Sequence, residues 1–304
     1  MSISDTPTVA SGFVALVGRP NAGKSTLVNA LMGVKVAITS DTPQTTRHRL
    51  RAVLDRDDAQ IVLVDTPGLH KPHDALGEEV NRSSILAAAD VDVIALCIDA
   101  SASVGSGDRW VAERVAKGRR PVVLVLTKAD AADEATIARQ LARARELVTP
   151  VAEVVLSAKT GFNLDSFIEA VLPYLPPGPR FFPRDMTTDQ SLEVMLAELV
   201  REKVLRNTRD EVPHAVGVQL EDLVYDEKRD FHTVSATIYV ERDSQKGIII
   251  GKGGEMIRAI GTEARADMER LLGTGVHLDL RVKVKKDWRR DGAQIKRFGY
   301  GEGL

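Results

Sequence analysis

Short runs of consecutive apolar residues punctuate the first 172 positions: 13–17 (FVALV), 61–64 (IVLV), 93–98 (VIALCI), 121–126 (PVVLVL) and 153–156 (EVVL). Their β-branched content and lack of polar alternation predict strands buried on both faces. Between them, residues 25–32, 76–89, 107–117, 133–147 and 164–172 place apolar side chains at i, i+3 and i+4, which predicts helices. Regular alternation of strand and helix predicts an α/β domain: a mostly parallel sheet covered by helices on both faces, with its ligand at the carboxyl ends of the strands.

The pattern then changes. Residues 173–183 (PYLPPGPRFFP) hold five prolines and a glycine, and neither continue a helix nor form a central strand. They read as an interdomain link. Beyond them come a helix near 189–206, strands near 214–220 and 231–241, a helix near 255–271 and a strand near 276–284, a smaller α+β domain. The expected organisation is an N-terminal extension over 1–11, a nucleotide-binding domain over 12–175, a linker over 176–185 and a second domain over 186–304. A length of 304 residues suits two cores better than one. No internal repeat or low-complexity tract is found.

Composition narrows the class. Apolar residues at 43% and charged residues at 28% match a folded globular chain. One cysteine, Cys97, forms no internal disulfide and builds no cysteine metal site; it reads as a small buried apolar residue in a reducing compartment. No apolar run approaches the roughly 20 residues of a membrane span, and residues 1–11 lack a signal-peptide pattern, so the expected address is the cytoplasm. Net charge is −2. Locally the balance differs: 184–230 carries 7 basic and 12 acidic residues, net −5, whereas 242–297 carries 14 and 8, net +6.

Candidate chemistry begins with Gly18-Arg19-Pro20-Asn21-Ala22-Gly23-Lys24-Ser25, a full G-x-x-x-x-G-K-S between a predicted strand and a predicted helix. Gly18 and Gly23 let backbone N–H groups curl around a polyphosphate, Lys24 reaches its β- and γ-phosphates, and the Ser25 hydroxyl serves Mg²⁺. The next strand ends in Asp65-Thr66-Pro67-Gly68, which puts a carboxylate in the magnesium shell and a Gly68 N–H near the γ-phosphate. The polar stretch 44–48 (QTTRH) is a candidate switch: one hydroxyl of the adjacent Thr45 and Thr46 would complete that shell only when a γ-phosphate is present. Thr127-Lys128-Ala129-Asp130 closes a further strand. A carboxylate such as Asp130 accepts two hydrogen bonds from guanine, a donor pair adenine lacks. Ser157-Ala158-Lys159 closes the strand after it.

The set GRPNAGKS, TTR, DTPG, TKAD and SAK, in this order, resembles the translation-factor-related GTPases. The resemblance implies GTP and GDP as ligands and GTP hydrolysis as the activity, with Lys24, Thr46 and Gly68 as its catalytic groups. It carries GTP contact over to Gly18, Arg19, Pro20, Asn21, Ala22, Gly23, Lys24, Ser25 and Thr26, to Asp65, Thr66, Pro67, Gly68 and Leu69, to Thr127, Lys128 and Asp130, and to Ser157, Ala158 and Lys159. It carries Mg²⁺ binding over to Ser25, Thr46 and Asp65. The family pattern has Asn where this chain has Thr127, which puts base and loop orientation at issue. Leu69 stands where Ras-like members place a water-orienting glutamine, so water is positioned from elsewhere or turnover is slow. Asn21 matches a position that coordinates K⁺ in some members, which implies acceleration by K⁺. His70 reads as a surface loop residue rather than a general base.

In the second domain, 247–254 (GIIIGKGG) reads as an apolar strand followed by G-x-x-G, with Glu255 opening a helix. This resembles the loop of a type II KH domain, which clamps single-stranded RNA. The expected RNA contacts are Ile250, Gly251, Lys252, Gly253, Gly254 and Arg258, joined by Arg281, Lys283 and Lys285 on one face of a predicted strand. Lys286, Arg289 and Arg290 follow beside Trp288. Taken over about residues 12–300, the chain resembles a bacterial branch of these GTPases that joins both domains. That implies the 3′ end of 16S rRNA and the 30S subunit as partners, no DNA, and a role in small-subunit maturation. The alternative is a regulatory GTPase at the inner face of the membrane, whose basic region meets anionic lipid.

Overall fold

In the computed structural model, residues 8–72, 74–115 and 118–300 are described; the first part of the N-terminal extension, 1–7, lies outside them. Two units are distinguished by their internal contacts. One comprises 1–37, 46–73 and 77–189; the other comprises 190–304 together with 38–45 and 74–76.

In the first unit the apolar runs become β1 (Val9–Gly18), β3 (Ala59–Asp65), β4 (Val93–Asp99), β5 (Val122–Thr127) and β6 (Ala152–Val155). Leu50–Asp55 adds β2, and Pro177–Gly178 adds the two-residue β7. The sheet order is β2-β3-β1-β4-β5-β6, with β7 antiparallel to β1 and β2 antiparallel to β3. Helices α1 (Lys24–Met32), α2 (Ala75–Ala89), α3 (Ser106–Val115), α4 (Glu134–Arg145) and α5 (Leu164–Val171) connect the strands. Two apolar clusters, one on each face of the sheet, bury most side chains of β1, β3, β4 and β5. Because β3 and β4 flank β1 in parallel, the chain leaves in opposite directions on its two sides, and a crevice opens beyond Gly18. Cys97 is fully buried, and burial pushes its thiol pKa up to about 12. The thiol is inert at neutral pH.

The proline-rich segment is strapped to this unit. Ser11 N–H donates to Pro176 O (2.9 Å), and the buried Gln60 carboxamide takes the N–H groups of Phe181 and Phe182 (2.8 and 2.9 Å). Arg180 pairs with Asp55 at 2.8 Å.

The second unit contains α6 (Leu192–Asn207), β8 (Gly217–Asp226), β9 (Phe231–Val240), α7 (Asp243–Ile250), α8 (Glu255–Leu272), β10 (Gly275–Val284) and α9 (Gly292–Arg297). Its sheet runs β10-β9-β8, with β10 parallel and β8 antiparallel to β9. Residues 247–250, expected as a strand, are the last turn of α7. The Gln245 side chain accepts from the Glu241 and Arg242 N–H groups (2.9 and 3.0 Å), which starts a helix there, and Ile249 is fully buried in the core. Local capping and packing override the strand preference of three consecutive isoleucines.

Helix α6 carries a buried charged cluster that its composition disguises. Arg201 pairs with Glu198 and donates to Thr45 O; Glu202 accepts from the Thr39 N–H at 2.9 Å; Lys203 bridges Glu202 and Asp267 at 2.9 and 2.6 Å. Among the described residues no helix is long and apolar enough to cross a membrane.

Candidate functional site

The loop 18–25 wraps the end of β1. Asn21 (φ 61°) and Gly23 (φ 80°) both take left-handed conformations, and α1 starts at Lys24. Its first-turn N–H groups and positive end therefore face outward, as anion binding requires. Lys24 is 5% exposed, and its Nζ donates to Arg19 O at 3.0 Å and Gly18 O at 3.3 Å. Burial draws its pKa below the ordinary lysine value, against the opposing pull of Asp65. Asp65 is fully buried, and burial pushes its pKa up against Lys24 and hydrogen bonds from Ser25 and Thr46. A polyphosphate and a cation answer both costs at once.

Three oxygens converge beside this pair. Ser25 Oγ lies 2.6 Å from Asp65 Oδ2 and 2.8 Å from Thr46 Oγ1, and Thr46 Oγ1 lies 3.5 Å from Asp65 Oδ2. Asp65 Oδ1 is buried with no hydrogen-bond partner. An all-oxygen set with one orphaned carboxylate oxygen fits Mg²⁺. When bound, Mg²⁺ neutralises charge on β- and γ-phosphate oxygens.

The segment 66–70 closes the opposite side of the crevice. A Cβ on Gly68 would stand 2.5 Å from the Pro20 backbone, so only glycine lets the two loops meet. Leu69 N–H donates to Gly18 O at 3.1 Å, and the Leu69 side chain is 2% exposed within the apolar core. That side chain orients no water. Two residues that no motif signals hold the segment in place: Ser84 Oγ donates to Pro67 O (3.1 Å), and the Asn81 carboxamide pairs with the backbone of His70 (3.3 and 2.6 Å). Thr45, Arg47 and His48 are buried, so the stretch expected as a polar switch is not a solvated loop.

At the far end, Ser157 Oγ donates to Asp130 Oδ1 at 2.6 Å, and Lys128, at φ 58°, sends its Nζ to Asp99 Oδ2 at 2.7 Å. Burial alone would raise the Asp99 pKa, but bonds from Lys128 and Ser101 outweigh it and hold it below the ordinary range. Lys159 is exposed and Ala158 half-buried. Asp130 thus stands exposed with a neighbour that fixes its direction.

Thr127, the departure from the motif, is 1% exposed, and its Oγ1 lies 2.8 Å from Ala22 O and 3.2 Å from Ile98 O. A single hydroxyl proton serves one carbonyl at a time. The shorter contact ties β5 to the phosphate loop. Thr127→Val is expected to weaken GDP binding about tenfold, because a buried carbonyl loses its donor, whereas Thr127→Ser retains affinity; a fluorescent-GDP titration reads both.

In the second unit, Gly251 (φ 71°), Gly253 (φ 59°) and Gly254 (φ 80°) form the turn between α7 and α8. Lys252 is exposed at its tip, and Arg258 folds back to donate to Gly253 O at 2.7 Å. A Cβ on Gly251 would lie 2.7 Å from Met256 Cβ; at Gly253 it would meet nothing within 4 Å. The loop therefore presents bare backbone and one ammonium at a helix N-terminus, a surface that admits a ribose-phosphate chain.

Not every expected cation joins it. Along β10, Val276 and Val282 enter the core with α7 and α8, and Leu278, Leu280 and Val284 pack against it. Strand alternation puts Arg281 and Lys283 on the opposite face. Arg281 pairs with Asp279 at 3.0 Å, and Lys285 follows the strand, exposed. Arg289 is engaged by Glu241 at 2.7 Å, while Trp288 is fully buried with its Nε1 on Ala215 O at 2.9 Å. The basic stretch 286–290 is thus partly structural.

A G-x-x-x-x-G-K-S loop, an Asp-x-x-Gly segment and an exposed, directed carboxylate at the strand ends of an α/β sheet, followed by a GxxG turn on an α+β unit, are the parts of a GTPase joined to a KH domain. Family models agree: the model described as "50S ribosome-binding GTPase" matches residues 13–128, and the KH domain model matches 211–289. The chain is 52% identical over 294 residues to the GTPase Era of Mycobacterium avium, covering 95% of this chain and 98% of that one. It is 50% identical over 295 residues to that of Mycobacterium tuberculosis, with the same coverage. Among solved structures, a single-residue variant of Aquifex aeolicus Era bound to GDP·AlF4⁻ superposes with a TM-score of 0.93 at 36% identity, covering 97% of this chain and 100% of that one. Era in complex with MgGDPNP and nucleotides 1506–1542 of 16S ribosomal RNA gives the same values. The chain belongs to the Era family of GTPases, and its activity is the hydrolysis of GTP.

Proposed function

We propose that this GTPase grips the 3′ end of 16S rRNA through the turn 251–254 and acts in maturation of the small ribosomal subunit. The observation that carries this reading is the bare GKGG turn opening α8, left-handed at Gly253 and Gly254. It is supported by the relative solved with nucleotides 1506–1542 of 16S rRNA, which is small-subunit RNA despite the 50S description of the family model.

On this reading Lys24 and the N–H groups at the start of α1 hold the β- and γ-phosphates, Gly68 N–H meets the γ-phosphate, and Ser25, Thr46 and Asp65 hold Mg²⁺. Asp130 reads guanine, with Ser157 fixing its direction. Thr46 already stands 2.8 Å from Ser25 Oγ, and a γ-phosphate would hold it there, so its release after hydrolysis would separate the GTP from the GDP state. Leu69 orients no water, and charge at the γ-phosphate is a separate task that a further cation would serve. Asn21 stands where K⁺ would supply it, so turnover is expected to be faster in KCl than in NaCl at equal ionic strength; equal rates remove K⁺ from the mechanism.

Depletion of the protein in its host tests the biological role. Precursor 16S rRNA and immature small subunits are expected to accumulate. Unchanged 16S processing with a large-subunit defect overturns the proposal.

A further inference from the structure

Arg19, the second residue of the phosphate loop, does not point toward the phosphate site. Its Nε donates to Asp108 Oδ1 at 2.8 Å, across 89 residues of sequence. Asp108 lies in the first turn of α3, and its side chain is 2% exposed against 34% for Arg19. The other carboxylate oxygen accepts the Gly105 N–H at 2.9 Å, and Gly105 O accepts the Arg109 N–H at 3.1 Å. One buried carboxylate therefore closes the start of α3 and holds the loop arginine together. Gly107 makes room for the arrangement, since a Cβ there would stand 2.7 Å from Arg19 Cδ.

The backbone of Arg19 is where this grip matters. Its carbonyl accepts both the Lys24 ammonium (3.0 Å) and the Ala22 N–H (3.3 Å). Rotation of Arg19 would turn that carbonyl away and release the lysine and the tightest turn of the loop together. We propose that Asp108 is a positioning residue of the nucleotide site: through Arg19 it sets the curve of residues 18–25 before a polyphosphate arrives. An exposed ion pair would contribute little. Here the carboxylate is buried and bonded on both oxygens, and a site formed in advance binds without first ordering its own loop.

Asp108→Asn and Gly107→Ala test the proposal by different routes. The first removes the charge that holds Arg19, and the second adds a methyl that displaces the arginine stem while leaving both charges in place. Each is expected to weaken GDP binding about tenfold, the loss of one charge-assisted hydrogen bond. The loss should appear in KM for GTP, with kcat at saturation kept within about twofold. Alanine favours a helix more than glycine does, so Gly107→Ala should not lower the thermal unfolding temperature of the full chain. A purely structural contact predicts the opposite, lower stability with unchanged GDP affinity. The double variant should bind GDP no more weakly than either single one, because both break one link. The proposal is overturned if Gly107→Ala binds GDP like the parent, or if the two losses multiply. Should Asp108→Asn fail to fold, Gly107→Ala and its pair with Arg19→Met still decide the matter.

Discussion

Asp130→Asn should turn the enzyme from guanine to xanthine nucleotides. On the proposed reading the carboxylate accepts from two guanine donors, N1–H and the exocyclic amine. Asparagine offers one acceptor and one donor, so its NH₂ opposes the guanine amine and a charge-assisted bond is lost. Xanthine carries a carbonyl at that position and restores the match. A loss of about 3–4 kcal/mol corresponds to roughly 10²–10³-fold weaker GTP binding. Ser157 Oγ, 2.6 Å from Asp130 Oδ1, still finds an oxygen on asparagine, so the unfolding temperature should hold. Competition of labelled GDP by unlabelled XDP and GDP reads the switch. Retained preference for GDP would place base recognition elsewhere.

Gly253→Asp should strongly weaken RNA binding at little cost to the fold. Gly253 sits at φ 59° with no atom within 4 Å of the position a Cβ would take, and aspartate enters the left-handed region more readily than other residues. The cost to stability is therefore small, about 1 kcal/mol. The cost to binding is not, because a carboxylate would stand beside Lys252 where, on the proposed reading, a phosphate chain approaches. Loss of one cation's effect and gain of repulsion predict an affinity drop of about 30-fold or more at low salt. RNA titration measures it, GDP affinity controls for folding, and a parallel assay on anionic vesicles separates lipid from RNA. A defect on vesicles with RNA binding intact would favour the membrane reading.

The nucleotide half is largely legible in the sequence, for a physical reason. Its strands are mostly buried on both faces and so written as unbroken apolar runs, and four of the five runs, all but 93–98, are followed by a short polar segment proposed to carry the chemistry. β2 escapes because an edge strand such as Leu50–Asp55 keeps one polar face. α7 escapes because its helical start depends on Gln245 reaching back to two N–H groups, a tertiary detail no period reveals. Charge is the least legible. The acids and bases of α6 look like a solvated face, yet Arg201 and Glu202 are fully buried in ion pairs. Arg281 and Lys283 do alternate as expected, but which face of the sheet they occupy is decided by the helices covering the other. Asp108 carries no signal at all; its partner lies 89 residues away.

We propose that one chain holds guanine nucleotide in one unit and ribosomal RNA in the other, and that the state of the first sets the grip of the second. Affinity for an RNA spanning the 3′ end of 16S rRNA, measured on the full chain with Mg²⁺ and either GDP or a non-hydrolysable GTP analogue, addresses it directly. Tighter binding with the analogue is expected, with no comparable binding to a scrambled RNA. Equal affinity in both nucleotide states, or equal affinity for the scrambled RNA, would contradict the claim.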